Sequence, residues 1–260
     1  VCSIYKDLCD CEKKQIEAIH LDTFENYLNL TEIKLQENQL KFLDYRIFEN
    51  LGLLEKINLG QNKLVSPDPN QFKNKPNLNT LVLMENNINV LDKNVFKGLH
   101  SLVSLDLAIN NVDYLDSDLF QDLENLFYLS FLLNKLTHVN VNYFNSKWLK
   151  NLTYLNLGRN QISLIQQKAF QNLTKLQLLD LSFNYLKEIR GDEFENLDNL
   201  DELSFFGNYI EIIHYKAFRN LPNLKKLIFL QNQIKTIESL AFNYFVQLDS
   251  LNLIDNKLRE

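Results

Sequence analysis

The stretch Leu152-Thr153-Tyr154-Leu155-Asn156-Leu157-Gly158-Arg159-Asn160-Gln161-Ile162 decides the fold. Leucines stand eight, five and three residues before Asn160, and Ile162 stands two after it. Outward from this stretch, Asn38, Asn62, Asn86, Asn110 and Asn134 precede it, and Asn184, Asn208, Asn232 and Asn256 follow. The spacing is 24 residues throughout, except for 26 between Asn134 and Asn160. Every one of these asparagines has Leu eight before it, Leu or Ile five before, Leu or Phe three before, and an aliphatic residue two after. Self-similarity at a fixed period of this length signals stacked repeats.

The physics follows from the pattern. The Leu-x-Leu centre alternates apolar and polar, so it reads as a short strand with one buried face. One such strand cannot bury that face alone, whereas stacking builds a parallel sheet and a continuous core. Ten strands at about 4.8 Å would make a sheet roughly 45 Å long. The recurrent Asn sits where the chain leaves the strand. Its amide can satisfy backbone groups of the turn, and a ladder of such bonds is expected, because a buried amide without partners costs a few kcal/mol. Ten residues after the asparagines runs a second column: Phe48, Phe72, Phe96, Phe120, Phe144, Phe170, Phe194, Phe218 and Phe242, with Phe24 in phase before them. Its strict phase predicts a core spine on the convex side, not a ligand box.

This L-x-x-L-x-L-x-x-N-x-L pattern resembles the leucine-rich-repeat family, in its typical 24-residue extracellular class. The resemblance implies an α/β repeat solenoid: a right-handed horseshoe with a parallel concave sheet and an irregular or 3₁₀ convex side. The Phe-spined repeats and an N-terminal cysteine cluster are similar to insect Toll-type ectodomains and mosquito leucine-rich immune proteins. That likeness implies innate-immune recognition.

Composition narrows the class further. Six glycines and four prolines in 260 residues leave no flexible linker. No apolar run reaches the roughly 18 residues of a membrane span. The net charge of −6, with scattered Lys and Arg, argues against nucleic acid, which needs a clustered basic face. Cysteine is confined to Cys2, Cys9 and Cys11. This placement looks like a local staple, and three thiols without a nearby His make a poor zinc site. No metal or cofactor is expected. The triplet resembles the N-terminal cysteine cap of secreted leucine-rich-repeat proteins with one cysteine missing. One bridge is expected, Cys2 with Cys9 or Cys11, since cysteines two apart rarely pair. The odd thiol is then free or paired with another chain. Residues 1–28 are read as this cap with a partial first repeat, and 29–260 as ten repeats, truncated before a C-terminal cap or further domain. Leu251, Leu253 and Leu258 would present an open core edge.

Sequons at Asn29, Asn151 and Asn172 and the cap point to a secreted, N-glycosylated protein. Two repeats deviate. Pro67 replaces an aliphatic residue and makes its arc extended. The two surplus residues lie in 145–151, beside Trp148, which is read as folding onto the core with a lateral contact as the alternative.

Function is sought on the concave face, at the exposed strand positions six, four, two and one before each Asn, which the fold does not need to bury. They are polar in the early repeats. Later they hold Tyr128, Leu132, Leu133, Tyr154, Arg159, Phe183, Phe206, Ile228, Leu230 and Ile254. Exposed apolar residues in such number mark a protein contact, and Tyr and Arg are types enriched at binding hot spots. A non-catalytic protein that recognises a protein ligand is expected, with the ectodomain of a membrane receptor or adhesion protein as the alternative. Dimerisation and membrane anchoring are assigned to a region beyond residue 260. Enzymatic activity is not expected. His20, His100, His138 and His214 occupy convex or connecting phases in separate repeats, so no pair of them is placed as base and orienter. Asp106 and Asp180 lie three strands apart, roughly 14 Å.

Overall fold

The structure, a computed structural model, describes residues 2–144, 147–191 and 193–258. The chain forms two compact units, 1–131 and 132–260.

In the N-terminal unit, β1 (Ser3–Tyr5) and β2 (Leu8–Asp10) form an antiparallel hairpin. The strands β3 (Glu32–Lys34), β4 (Lys56–Asn58), β5 (Thr80–Val82), β6 (Ser104–Asp106) and β7 (Tyr128–Ser130) then follow β2 in parallel. The register is the sequence period, with Ile33 beside Ile57, and Leu81 beside Leu105. It also reaches back into the cap, where Cys9 pairs with Ile33. Cys9 and Cys11 therefore stand where a repeat has its two core leucines, and both are buried. Helix in this unit is confined, among the described residues, to 3₁₀ turns at Leu21–Phe24 and Tyr45–Phe48. The second is capped by Asp44, whose side chain accepts from the Arg46 amide, as an N-cap carboxylate does. The arc through buried Pro67 carries neither helix nor strand.

The C-terminal unit repeats the plan with β9 (Tyr154–Asn156), β11 (Leu178–Asp180), β13 (Glu202–Ser204), β15 (Lys226–Ile228) and β17 (Ser250–Asn252), all parallel. Here the opposite side also carries two-residue strands. β8 (His138–Val139) pairs with β10 (Leu164–Ile165), and β14 (Ile212–Ile213) lies between β12 (Glu188–Ile189) and β16 (Thr236–Ile237). These were not foreseen. β-Branched Val139, Ile165, Ile189, Ile213 and Ile237 sit at the aliphatic position five after each Asn, and such residues suit extended backbone. Leu251 (37% exposed) and Leu258 (44%) are open to solvent, whereas their equivalents in earlier repeats are buried.

The asparagine ladder forms as expected. Asn62 Nδ2 donates to the carbonyls of Leu35 (2.9 Å), Leu59 (3.1 Å) and Gly60 (3.1 Å), and its Oδ1 accepts from the Leu40 amide at 3.1 Å. Asn184 does the same with Leu157 (2.9 Å), Leu181 (3.1 Å), Ser182 (3.2 Å) and the Ile162 amide (2.9 Å). The Phe spine is stacked within each unit: Phe24 on Phe48 at 6.4 Å, and Phe144, Phe170 and Phe194 at 6.0 and 6.1 Å.

Candidate functional site

Each strand proper covers only the positions six to four before the Asn. The residue one before it is not on the strand. Glu37, Gln61, Glu85, Ile109, Leu133, Arg159, Phe183, Gln231 and Asp255 all have φ between 51 and 56°, and Gly207 has φ 69°. The left-handed kink turns the chain off the sheet, so this column stands at the sheet's exit. The expectation that it forms part of the strand face is corrected accordingly. For L-residues the conformation costs roughly 1–2 kcal/mol. The backbone bonds around the kink hold it, as when the Gln61 amide donates to Met84 O at 2.9 Å and the Asn62 amide to Glu85 O at 3.2 Å.

The column interacts from repeat to repeat. In the N-terminal unit Lys13 pairs with Glu37 at 2.9 Å, and Gln61 Nε2 donates to Glu85 at 2.8 Å. In the C-terminal unit it becomes aromatic. The Arg159 guanidinium lies 4.3 Å from the centre of the Phe183 ring, a cation–π distance. Phe183 meets Phe206 edge-on at 4.4 Å. A Cβ on Gly207 would stand 2.8 Å from the Phe183 ring, so this glycine makes room for it.

Of the expected site residues, Arg159, Phe183 and Phe206 are thus in contact. Tyr128 is half-buried on β7 in the N-terminal unit. In the C-terminal unit Leu132, Tyr154, Ile228 and Leu230 are half-buried, while Leu133 (41%) and Ile254 (64%) are exposed. The strand face there also carries charge, with Lys226 Nζ 2.9 Å from Glu202.

At the cap, Cys2 is bonded to Cys11, and Cys9 is free and buried. Burial pushes the Cys9 thiol up to about 11. A thiol so enclosed is not placed to pair with another chain, the alternative held open above. Cys9 fills a core position and behaves as a small hydrophobe. It was missed because the repeat phase was not carried back into the cap. The three sulfurs lie within 4.8 Å of one another and are, among the described residues, the one group with metal-ligand geometry. Two of them are spent in the bridge.

Two histidines find a carboxylate one 24-residue repeat along, a pairing that the period could have indicated. His100 Nδ1 lies 3.1 Å from Glu124. His214 lies 3.1 Å from Glu238 and 3.8 Å from Glu188, so both its ring nitrogens face acids. The backbone amide of Tyr215, and then His214, hold the Glu238 carboxyl below the usual range. Asn29 is exposed. Asn151 and Asn172 are half-buried, and Lys175 Nζ donates to Asn151 Oδ1 at 2.7 Å. Trp148 is half-buried beneath the Lys147 ammonium, 4.7 Å from its ring. Asn145 and Ser146 lie outside the described residues.

The leucine rich repeat family matches residues 133–186, 150–210 and 206–258, and the BspA type leucine rich repeat region, in six copies, matches 11–127. The chain is a leucine-rich-repeat protein. No curated protein matches it in sequence. Among solved structures, this leucine-rich-repeat chain is similar to TLR13 in its complex with the single-stranded RNA ssRNA13. The identity there is 26% and the TM-score 0.85, over 94% of this chain and 35% of that one. It is similar in fold to the Toll–Spatzle complex of Drosophila (22% identity, TM-score 0.79, 95% and 37% covered). It is likewise similar in fold to the LRIM1/APL1C complex (23% identity, TM-score 0.78, 93% and 42% covered). The chain spans less than half the length of each of these neighbours. No helix among its described residues is long and apolar enough to cross a membrane.

Proposed function

We propose that this leucine-rich-repeat chain is a non-catalytic binding protein that takes a protein ligand on the sheet face and strand exits of its C-terminal unit, in extracellular innate-immune recognition. The observation that carries the reading is the Arg159–Phe183–Phe206 stack. Rigid aromatics under a guanidinium are residue types enriched at hot spots, and here they decorate a surface whose fold needs only the leucines beneath. Solved neighbours engaged with protein partners, Toll with Spatzle and LRIM1 with APL1C, support it. The Cys2–Cys11 bridge favours an oxidising compartment. A second reading, by analogy with the Toll fold, makes the chain part of a receptor ectodomain.

TLR13 was solved with RNA, so fold alone does not choose the ligand class. Acidic residues outnumber basic ones at the sheet-face and exit positions, and this disfavours a polyanion.

The test is capture of partners from extracellular fluid of the source by wild type and by Arg159→Glu/Phe206→Glu, with Glu211→Lys, on the opposite side, as control. The double variant is expected to lose a partner that wild type and control retain, by at least tenfold. Equal recovery by all three would overturn the reading, as would tight binding of a single-stranded oligonucleotide in place of protein.

A further inference from the structure

Three residues after the spine phenylalanine, the repeats bury Leu51, Leu99, Leu123, Leu173, Leu197 and Leu221, each almost wholly. In the one repeat between Leu51 and Leu99 that position is Lys75, and it is buried just as deeply, at 1% exposure. A buried ammonium without a counter-charge is strongly disfavoured. Lys75 Nζ donates only to the carbonyls of Lys73 at 3.0 Å and Asn74 at 3.4 Å, and its third proton has no acceptor among the described residues. Glu49 is the acid whose field Lys75 feels, and it does not reach ion-pair distance. Places where a chain breaks its own packing rule are expected to be functional.

Lys75 lines a cavity of about 970 Å³ in the arcs away from the sheet, together with Lys73 and Lys97. Among the described residues neither Asp nor Glu lines it, in a chain whose net charge is −6. Gly52 and Gly98 also line it, and a Cβ on either would meet nothing within 4 Å. At Gly52 no backbone constraint demands glycine, so the missing side chain leaves room in the cavity.

We propose that this cavity binds a small molecule carrying a phosphate or sulfate group, anchored by the buried Lys75 amine and flanked by Lys73 and Lys97. Lysines are point-charge partners for such oxyanions, and the volume suits a ligand of metabolite size. Burial pushes the Lys75 ammonium below its usual range, and an anion in the cavity would supply the counter-charge that the fold withholds. The site lies in the N-terminal unit, apart from the residues assigned to protein recognition.

Calorimetric titration with inorganic phosphate, inorganic sulfate, glucose 6-phosphate and glucosamine 6-sulfate tests it. Binding of at least one probe by wild type is expected, with the two sugars separating a phosphate ligand from a sulfate ligand. Lys75→Leu restores the residue that six of the other repeats use, so it should fold with a higher thermal midpoint and bind at least tenfold more weakly. Gly52→Phe, which fills the cavity without touching the lysine, should also lose binding. Lys93→Leu, at an exposed lysine outside the cavity, should retain it. No binding of any probe at millimolar concentration, or equal binding by wild type and Lys75→Leu, would overturn the proposal. A Lys75→Leu protein less stable than wild type would overturn its premise, and Gly52→Phe would still report on the cavity.

Discussion

An amide side chain offers two donor protons and one acceptor oxygen, and in Asn184 all are spent on backbone groups of its own and the adjoining turns. Asn184→Ala leaves those buried groups unpaired, at about 1–3 kcal/mol. A urea midpoint shift of that size, with binding unaffected, is the expected result, and an unchanged midpoint would show the ladder to be ornamental. Asp106 presents the opposite case. Its Oδ1 accepts from the Ala108 amide at 2.9 Å, the role that Asn58 and Asn156 play for Gly60 and Gly158. Burial, partly offset by that bond, holds its carboxyl above the usual range. A raised carboxyl binds its proton more tightly folded than unfolded, so its ionised form burdens the fold above the raised value, and the burden lifts as pH falls through it. Asp106→Asn is therefore expected to raise the thermal midpoint at pH 7, with the gain shrinking toward pH ~4, near the usual Asp value. A midpoint at pH 7 no higher than wild type would refute the assignment. At this scale the asparagines and the spine were legible from period alone. The left-handed column was not, because its members, Ile109, Leu133 and Phe183 among them, are not residues that advertise positive φ.

Elements here are too short to be stable by themselves, and each holds only through its neighbours. The cap shows this most clearly. β2 is a repeat strand in register, the bridge ties its end to Cys2, and Cys9 packs where a core leucine would. Iodoacetamide is expected to leave the native protein unmodified and to add one group after denaturation without reductant, reflecting a thiol both enclosed and pushed up to about 11. Rapid labelling of the native chain would contradict the enclosed thiol. The alternatives left open for the odd cysteine were unresolvable from spacing, since only the strand register decides which sulfur faces inward. The two-residue strands of the C-terminal unit escaped notice for a related reason. A single β-branched residue per arc is a weak signal until the arcs are stacked.

In the molecule as a whole, the consensus made the architecture readable, and departures from it mark the surfaces. In the C-terminal unit the departures are additions: Arg159, Phe183 and Phe206 occupy positions that the core ignores. In the N-terminal unit the departure is a replacement, Lys75 for leucine. It was equally visible in the sequence and was overlooked because lysine reads as surface until burial is known.

The bonds of the asparagine ladder run to partners 22 and 27 residues away, again and again. Across the one long repeat, Leu136 still bonds Asn160, at a separation of 24. A chain wired in this way can lose or duplicate one whole period, and the severed bonds find equivalent atoms waiting. A slip of a single residue inside a strand would turn every leucine outward. Recombination between neighbouring copies is thus a gentle edit for this gene, and copy number is a variable along which such a protein can evolve.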